Sequence, residues 1–236
     1  MSAAAGAPGA SPVARTTGPV APARLEPWRR AVERGQELPH GWRATPPGGA
    51  AVRPAAVLIL VGQGLDGPDV LLTRRADTLS SHPGQVAFPG GRRDPGDVDD
   101  AACALREARE EVGVDPSGVT VLGTLPPLWV PPSGHQVVPV LAWWHEPGPV
   151  GVVDPSEVAS VLRAPVADLV DPANRVGVRY PSGRGDGPGF RVGGLFVWGF
   201  TAGLLSWVLD LAGLAVPWDS TPAVDHEGSP LSGDGT

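Results

Sequence analysis

The chain contains no lysine and only one cysteine. All 18 basic residues are arginine, which indicates codon bias in a GC-rich genome and does not point to a function. The single cysteine, Cys103, excludes an intrachain disulfide and a zinc site built from several cysteines. Because a soft thiol is a poor ligand for Mg²⁺, we expect Cys103 to pack in the protein. The low cysteine content agrees with a reducing cytosol, so we expect a cytoplasmic protein.

Positive charge is scarce overall. The 18 arginines stand against 25 acidic residues, which gives a formal net charge of −7. A nucleic-acid-binding surface needs a basic stripe, so we expect no nucleic-acid partner. A small polyanionic substrate would have to be bound by local arginines and a metal ion.

Long apolar runs are also rare. Residues 1–24 have no apolar segment behind a basic start, so we do not expect a signal peptide. One uncharged run, from Val192 to Leu209, reaches the length of a membrane span. Its glycines and hydroxyl residues favour another interpretation, a strand from Phe196 to Gly199 followed by a buried helix. Membrane insertion is the less favoured alternative.

The 236 residues allow one domain of ordinary size with tails. Composition predicts a disordered Ala/Pro-rich arm over 1–24 and a short helix and linker over 25–51. It predicts a catalytic domain over 52–216 and a disordered acidic tail over 217–236. Further expectations are a β-hairpin over 55–61 and 70–73, strands over 119–124 and 136–144, a helix start over 154–157, a strand or turn over 164–169 and a loop over 180–189.

A helix crowded with glutamates carries the chemistry. Helical periodicity runs from about residue 98 to 112, with Asp97 or Asp99 as the N-cap and Gly113 as the C-terminal glycine. The apolar residues gather on one side, and the glutamates at 107, 110 and 111 gather on the other. Such like charges destabilise a helix by a few tenths of a kcal/mol per pair, so a hard divalent cation is a natural ligand. The alternative is a solvated face that two arginines, at 106 and 109, neutralise.

A glycine turn precedes this helix. Gly90 and Gly91 follow Phe88-Pro89 at a strand end, where backbone without side chains can approach a ligand closely. The segment from Gly91 through REAREEVGV at 106–114 resembles the Nudix box, G-x5-E-x7-R-E-U-x-E-E-x-G-U, of the Nudix hydrolases. Asp97 stands where the box has glutamate, and one extra residue separates it from Arg106.

A second signature adjoins the box. The stretches LLTRRA at 71–76 and GQVAFPGG at 84–91 resemble the coenzyme A pyrophosphatase branch of the family, L-L-T-x-R-[SA]-x3-R-x3-G-x3-F-P-G-G. Ser80 occupies the position of the second arginine. The resemblance implies an α/β protein with the Nudix fold, a mixed β-sheet sandwiched between α-helices.

The resemblance also implies roles for particular residues. Mg²⁺ or Mn²⁺ would be held by Glu107 and Glu111, and Glu110 would add a ligand or accept the proton of the attacking water. Arg106 would hold a glutamate in position. The substrate would be contacted by Gly90, Gly91, Arg75, His82 and Gln85, with Asp97 and Glu157 as extra candidate carboxylates.

The implied reaction is hydrolysis of the diphosphate in coenzyme A or its derivatives. The products would be 4′-phosphopantetheine, or its acyl form, and adenosine 3′,5′-bisphosphate. Two alternatives remain open at this point. One is another Nudix substrate, such as ADP-ribose, NADH or a dinucleoside polyphosphate, and the other is a domain that binds a nucleotide without catalysis.

Overall fold

A computed structural model describes residues 22–131, 133–181 and 185–231 of the chain. Its main element is a sheet of eight strands, in which β1 pairs in parallel with β7 and the other pairings are antiparallel. These strands are β1 Arg53–Gln63, β2 Pro68–Arg75, β3 Val86–Ala87, β4 Gly90–Arg92, β5 Val119–Thr124, β6 Leu128–Val130, β7 His135–Trp144 and β8 Val158–Pro165. A smaller sheet contains β9 Arg175–Arg179, β10 Asp186–Val192, β11 Leu195–Val197 and β12 Pro222–Asp225.

Helices cover both faces of the large sheet. They are α1 Pro22–Arg34, α2 Asp100–Val112, α3 Val166–Val170 and α4 Gly199–Leu211. Side chains of a strand alternate between faces, and β1 follows this rule. Leu58 and Leu60 pack with α2, whereas Ile59 and Val61 pack with α1 and α4. The mixed sheet between helices confirms the expected fold class.

The glycine turn sits where the large sheet splits. Strands β1 and β2 form a hairpin, as predicted, but their paired residues lie only at the hairpin end. Beyond that point β3 pairs with β2 and β4 pairs with β1. The intervening Phe88 is buried, and the Pro89 carbonyl accepts a hydrogen bond of 2.8 Å from the Leu58 N–H. The turn is therefore held by the core on both sides.

The first helix belongs to the packed structure and is longer than predicted. Sequence placed a short helix and linker over 25–51, outside the domain, whereas α1 begins at Pro22. Trp28 and Ala31 lie in the core that also contains α4. The amphipathic spacing of Leu25, Trp28 and Val32 gives the physical reason, because such a stripe needs an apolar surface to cover.

The prediction of a disordered tail over 217–236 is wrong for its central part. Residues 222–225 form β12, which pairs in parallel with β9, and Val224 is buried. The polar composition gave no sign of this strand, because β12 has only one buried side chain in the core, that of Val224. Residues 232–236, and most of the arm predicted over 1–24, lie outside the described residues.

Three smaller predictions also need correction. Residues 154–157 form a turn instead of a helix start, since the Asp154 side chain accepts a hydrogen bond from the Ser156 N–H and β8 begins at Val158. The stretch 164–169 leads into helix α3, and the loop predicted over 180–189 contains the start of β10. Residues 182–184 of that loop lie outside the described part.

The uncharged run forms a short strand and a buried helix, as the favoured interpretation predicted. Strand β11 and helix α4 cover most of it, and α4 has 13 residues. None of the helices in the described part of the chain is long and apolar enough to span a bilayer.

Candidate active site

Both ends of α2 are fixed by the residues that the sequence indicates. The Asp99 side chain accepts a hydrogen bond of 2.7 Å from the Ala102 N–H, which makes Asp99, and not Asp97, the N-cap. Gly113 has φ 77°, and its N–H bonds the carbonyls at the helix end. Such a cap contributes about 1 kcal/mol to helix stability. These caps fix where α2 begins and ends.

The helical spacing suggested that the three glutamates share one exposed face, but Glu111 does not lie on that face. It is 5% exposed and lies on the packed side of α2. Its Oε2 accepts a hydrogen bond of 3.2 Å from the Gly90 N–H. Burial raises the pKa of Glu111 to about 8, and the charges of Glu107 and Glu157 add to the rise. Glu111 is therefore a buried carboxylate next to other carboxylates.

Glu107 lies directly against the glycine turn. A Cβ atom placed on Gly91 would come within 2.5 Å of the Glu107 carboxyl carbon. Burial raises the pKa of Glu107, although the neighbouring Arg106 opposes that rise. Glycine is therefore required at position 91 if the carboxylate is to stay where it is.

Arg106 gathers the remaining carboxylates. Its guanidinium donates two hydrogen bonds of 3.0 Å to Asp97, and it lies 3.1 Å from Glu107 Oε1 and 2.9 Å from Glu110 Oε2. The same group also donates to the Arg92 carbonyl. The hydrogen bonds from Arg106 lower the pKa of Asp97 to about 2. The Asp97 carboxylate thus compensates the positive charge of Arg106, and this ion pair connects the acidic loop to α2.

Arg93, in the loop that leads into α2, was not identified from sequence as part of the site. Arg93 donates to the Val98 carbonyl at 3.1 Å and contacts Asp100 at 3.4 Å. Cys103 is buried, as expected, with its Sγ near the Gly91 and Arg92 carbonyls, and burial raises its pKa to about 12. The only signal for Arg93 was the excess of aspartates around it, which a nearby cation relieves.

Arg75 and Glu157 border the buried glutamate from the other side. The positive charge of Arg75 opposes the rise in the pKa of Glu111, and the charge of Glu157 adds to it. Arg75 ends β2, and the backbone of Glu157 bonds to the next residue, Ala76. The backbone thereby places Arg75 and Glu157 next to each other.

The other two predicted substrate residues lie in the loop before β3. The backbone of Gln85 accepts a hydrogen bond from the Arg75 N–H at 2.9 Å. His82 is exposed and has φ 56°, a conformation that few residues other than glycine adopt. Among the described residues, neither the His82 nor the Gln85 side chain forms a hydrogen bond with the glutamates.

A hard divalent cation fits the chemistry of this donor set. Glu107, Glu111 and Glu157 offer only carboxylate oxygens, which Mg²⁺ and Mn²⁺ prefer. Within the described ranges no three acidic, His or Cys residues form a closed ligand cluster, because Glu107 and Glu110 turn toward Arg106. Burial is the main cause of the raised pKa values of Glu107 and Glu111, neighbouring carboxylates add to it, and a bound cation would favour the ionised forms.

Comparisons with known proteins agree with this geometry. The model of the NUDIX domain matches residues 52–181. The chain is 41% identical over 167 residues to the uncharacterized Nudix hydrolase NudL of Cronobacter sakazakii, covering 65% of this chain and 79% of NudL. It is 37% identical over 164 residues to the mitochondrial Nudix hydrolase 15 of Arabidopsis thaliana, covering 64% of this chain and 55% of that protein.

A solved structure, the Nudix hydrolase RenU from M. smegmatis, is 27% identical and superimposes with a TM-score of 0.41, covering 53% of this chain and 79% of RenU. The family model spans more than half of the chain, and the box it represents forms the loop and helix described above. Nudix hydrolases generally need divalent metal ions, which agrees with the oxygen donors around Glu111. The chain belongs to the Nudix family and is a Nudix hydrolase.

Proposed function

We propose that this Nudix hydrolase cleaves the diphosphate of coenzyme A or its derivatives into 4′-phosphopantetheine, or its acyl form, and adenosine 3′,5′-bisphosphate. The observation that carries the proposal is the course of residues 71–91, which resemble the coenzyme A pyrophosphatase branch. This segment forms the end of β2, the following loop and the glycine turn. Arg75 at one end and Gly90 at the other both act on Glu111. The segment is thus suited to select the substrate beside the glutamates.

We infer that the cation is Mg²⁺ or Mn²⁺ and that Glu107 and Glu111 hold it, with Glu110 as a further ligand. Glu157 is the candidate for an additional carboxylate. When bound, the cation neutralises phosphate charge and makes water more acidic. The support for this assignment is the all-oxygen donor set and the raised pKa of Glu111.

The other residues of the site would bind the substrate, accept a proton or position the glutamates. Gly90 and Gly91 are proposed as substrate contacts through their backbone, next to the Glu107 carboxylate that fills the space beside Gly91. Glu110, whose side chain is exposed, would accept the proton of the attacking water. Arg106 is a positioning residue, since its charge-assisted hydrogen bonds hold Glu107 and Glu110 in place. Asp97 would act through Arg106.

Arg75 would contact the anionic groups of the substrate. Its guanidinium is half-buried and near Glu111, where it can meet a phosphate oxygen. His82 and Gln85 are proposed as substrate contacts from their places in the branch signature. We also propose a cytoplasmic location, which the single cysteine supports and which fractionation of the producing cells would test.

The test is a substrate panel with purified protein. Coenzyme A, ADP-ribose, NADH and a dinucleoside polyphosphate are compared for kcat/KM with Mg²⁺, with Mn²⁺ and with chelator. We expect metal-dependent release of adenosine 3′,5′-bisphosphate from coenzyme A at the highest kcat/KM of the panel. Preference for another diphosphate would keep the Nudix chemistry and overturn the coenzyme A assignment. Tight binding without turnover of any substrate would favour a non-catalytic binding domain.

A further inference from the structure

A group of cationic side chains lies one residue past the glycine turn. Gly91 pairs with Ala56 and Arg92 pairs with Ala55, so these two residues of β4 face opposite sides of the sheet. Gly91 faces α2 and Glu107. Arg92 therefore faces the other side, away from the glutamates.

Two more residues point to the same side as Arg92. Arg53, at the start of β1, is two residues from Ala55 and so shares its face. Arg53 pairs with His135 at the start of β7, and paired residues project to the same side of a sheet. The strand ends thereby bring Arg53, Arg92 and His135 together; we call these three residues the cationic group.

His135 is the member of the cationic group that has a buried polar atom. Its Nε2 is buried and has no hydrogen-bond partner among the described residues. Burial lowers the pKa of His135, and the charges of Arg53 and Arg92 lower it further. Both guanidiniums are therefore near enough to the ring to act on it. A buried imidazole nitrogen without a partner indicates a ligand atom that would complete its hydrogen bond.

The cationic group also lacks negative charge nearby. In the described part of the chain, neither arginine forms an ion pair, although other arginines such as Arg106 and Arg163 do. Both side chains are exposed and free to move onto a ligand. The group thus consists of two guanidiniums without an ion-paired carboxylate and an imidazole whose lowered pKa favours the neutral form. Guanidinium groups match the geometry of a phosphate with two parallel hydrogen bonds.

We propose that Arg53, Arg92 and His135 form a second anion subsite, which binds a phosphate monoester on the nucleoside part of the substrate while the diphosphate lies at the glycine turn. The two sites lie on opposite faces of β4, so a substrate that binds both must pass around this strand. Strand β4 has only three residues and borders the split in the large sheet, which is where such a passage would lie. This inference rests on the proposed function, since coenzyme A carries such a monoester, at the ribose 3′ position, whereas ADP-ribose does not.

The direct test is a binding measurement that needs no turnover. Adenosine 3′,5′-bisphosphate and AMP are titrated by calorimetry into the wild type, into the double variant Arg53→Gln/Arg92→Gln and into a control, Arg29→Gln/Arg34→Gln. The control residues are exposed on α1, whose Arg24 contacts Gln63 at the far end of β1. Circular dichroism and the melting temperature verify that each variant folds.

We expect the wild type and the control to bind the bisphosphate at least about tenfold more tightly than AMP, as charge-assisted hydrogen bonds would provide. The double variant should lose that preference and keep its affinity for AMP. Equal affinity of the wild type for both ligands would overturn the subsite, and so would a double variant that keeps the preference.

Kinetics separate this inference from the proposed function. If coenzyme A is hydrolysed, the double variant should raise KM for coenzyme A, leave kcat unchanged, and leave both constants unchanged for 3′-dephospho-coenzyme A. Hydrolysis of both substrates with equal KM by the wild type would contradict the subsite while the diphosphatase function stands. A binding preference for the bisphosphate without hydrolysis of coenzyme A would retain the subsite and overturn the proposed substrate.

Discussion

At the scale of single residues, the site depends on how charge is compensated. Asp97 replaces the glutamate of the family pattern, and its side chain is 5% exposed in contact with Arg106. The shorter side chain and the extra residue before Arg106 occur together. The loop therefore places a carboxylate on the guanidinium despite both departures. Glu107 shares Arg106 with Asp97, whereas Glu111 forms no ion pair among the described residues and accepts a hydrogen bond from the Gly90 N–H.

Changing Glu111 to glutamine should abolish turnover and leave the fold intact. The amide keeps the size of the side chain and can still accept a hydrogen bond from Gly90, but it removes the negative charge proposed to hold the cation. We expect kcat/KM to fall by at least about 100-fold, the range seen when a major catalytic interaction is removed. Steady-state kinetics with circular dichroism measure both effects.

The matched control for that variant is Glu146→Gln, because Glu146 is exposed and lies outside the site. This control should keep wild-type kinetics. A Glu111→Gln protein with a near-normal rate would remove Glu111 from the catalytic site.

The same substitution should stabilise the metal-free protein at alkaline pH. The pKa of Glu111 in the folded protein, about 8, lies above the 4.5 of an unperturbed glutamate. The folded state therefore favours the protonated form, and the contribution of Glu111 to stability is fully present below pH 4.5 and is lost as pH rises toward 8. The Glu111→Gln protein has no such loss, so its advantage at pH 8 should be on the order of 4 kcal/mol.

Chemical denaturation with chelator at pH 4.5 and pH 8 measures this difference. Added Mg²⁺ should restore the stability of the wild type at pH 8 and affect the variant less, because a cation favours the ionised carboxylate. A wild-type protein whose metal-free stability does not fall between the two pH values would contradict the burial of an ionisable Glu111.

At the scale of elements, the glycine turn and α2 act as one unit. Gly91 has no room for a side chain because the Glu107 carboxylate occupies that space, whereas Gly96 in the same loop has no atom within 4 Å of an added Cβ. The turn therefore requires glycine at one position and tolerates alanine at the other.

Replacing Gly91 by alanine should displace Glu107 and lower kcat/KM by at least about tenfold, since small misplacements of catalytic groups are costly. Gly96→Ala should leave kcat/KM within about twofold of the wild type, because an exposed site without steric contacts rarely matters. Side-by-side kinetics of the two variants make the comparison. Equal effects of both substitutions would show that the close approach at Gly91 has no role.

Sequence predicted these elements well wherever a local signal was strong. The caps of α2, the β1–β2 hairpin and the strands β5 and β7 each have a clear turn, cap or apolar run. Prediction was poorer where tertiary contacts decide, as at β8 and β10. Asp154-Pro155-Ser156 satisfies the rules for a helix start, but the residues that follow pair with β2 and form strand β8 from Val158 onward.

In the candidate site too, features with a local signal were predicted and features that depend on tertiary contacts were not. The identities of the three glutamates and both glycines follow from spacing and from the family resemblance, because a helix fixes their relative positions. The burial of Glu111 and the partners of Arg106 could not be predicted, since both depend on which face of α2 meets the sheet. The nearness of Arg75 to Glu111 depends likewise on the split between β1 and β2.

At the scale of the whole molecule, segments far apart in the chain complete one core. Helix α1 supplies Trp28 to the core beside α4 and β7, although the sequence analysis placed this helix outside the catalytic domain. Strand β12 adds a fourth strand to the small sheet. Sequence composition cannot reveal such docking, because a single large buried side chain in a polar segment carries the stability.

Replacing Trp28 by alanine should therefore destabilise the whole protein. Trp28 is 2% exposed, and loss of a buried tryptophan costs about 3–5 kcal/mol. Its exposed neighbour Arg29 provides the control, since Arg29→Ala should change stability by less than about 0.5 kcal/mol. Urea unfolding monitored by circular dichroism measures both. A Trp28→Ala protein as stable as the control would mean that α1 does not belong to the core.

The measurement that tests the central proposal most directly is phosphorus-31 NMR of coenzyme A incubated with the protein and Mg²⁺. The account predicts that the diphosphate signals disappear and that monoester signals of the two products replace them. With chelator, or with the Glu111→Gln protein, the diphosphate signals should persist. Intact coenzyme A signals under conditions in which the same protein consumes ADP-ribose would contradict the proposal.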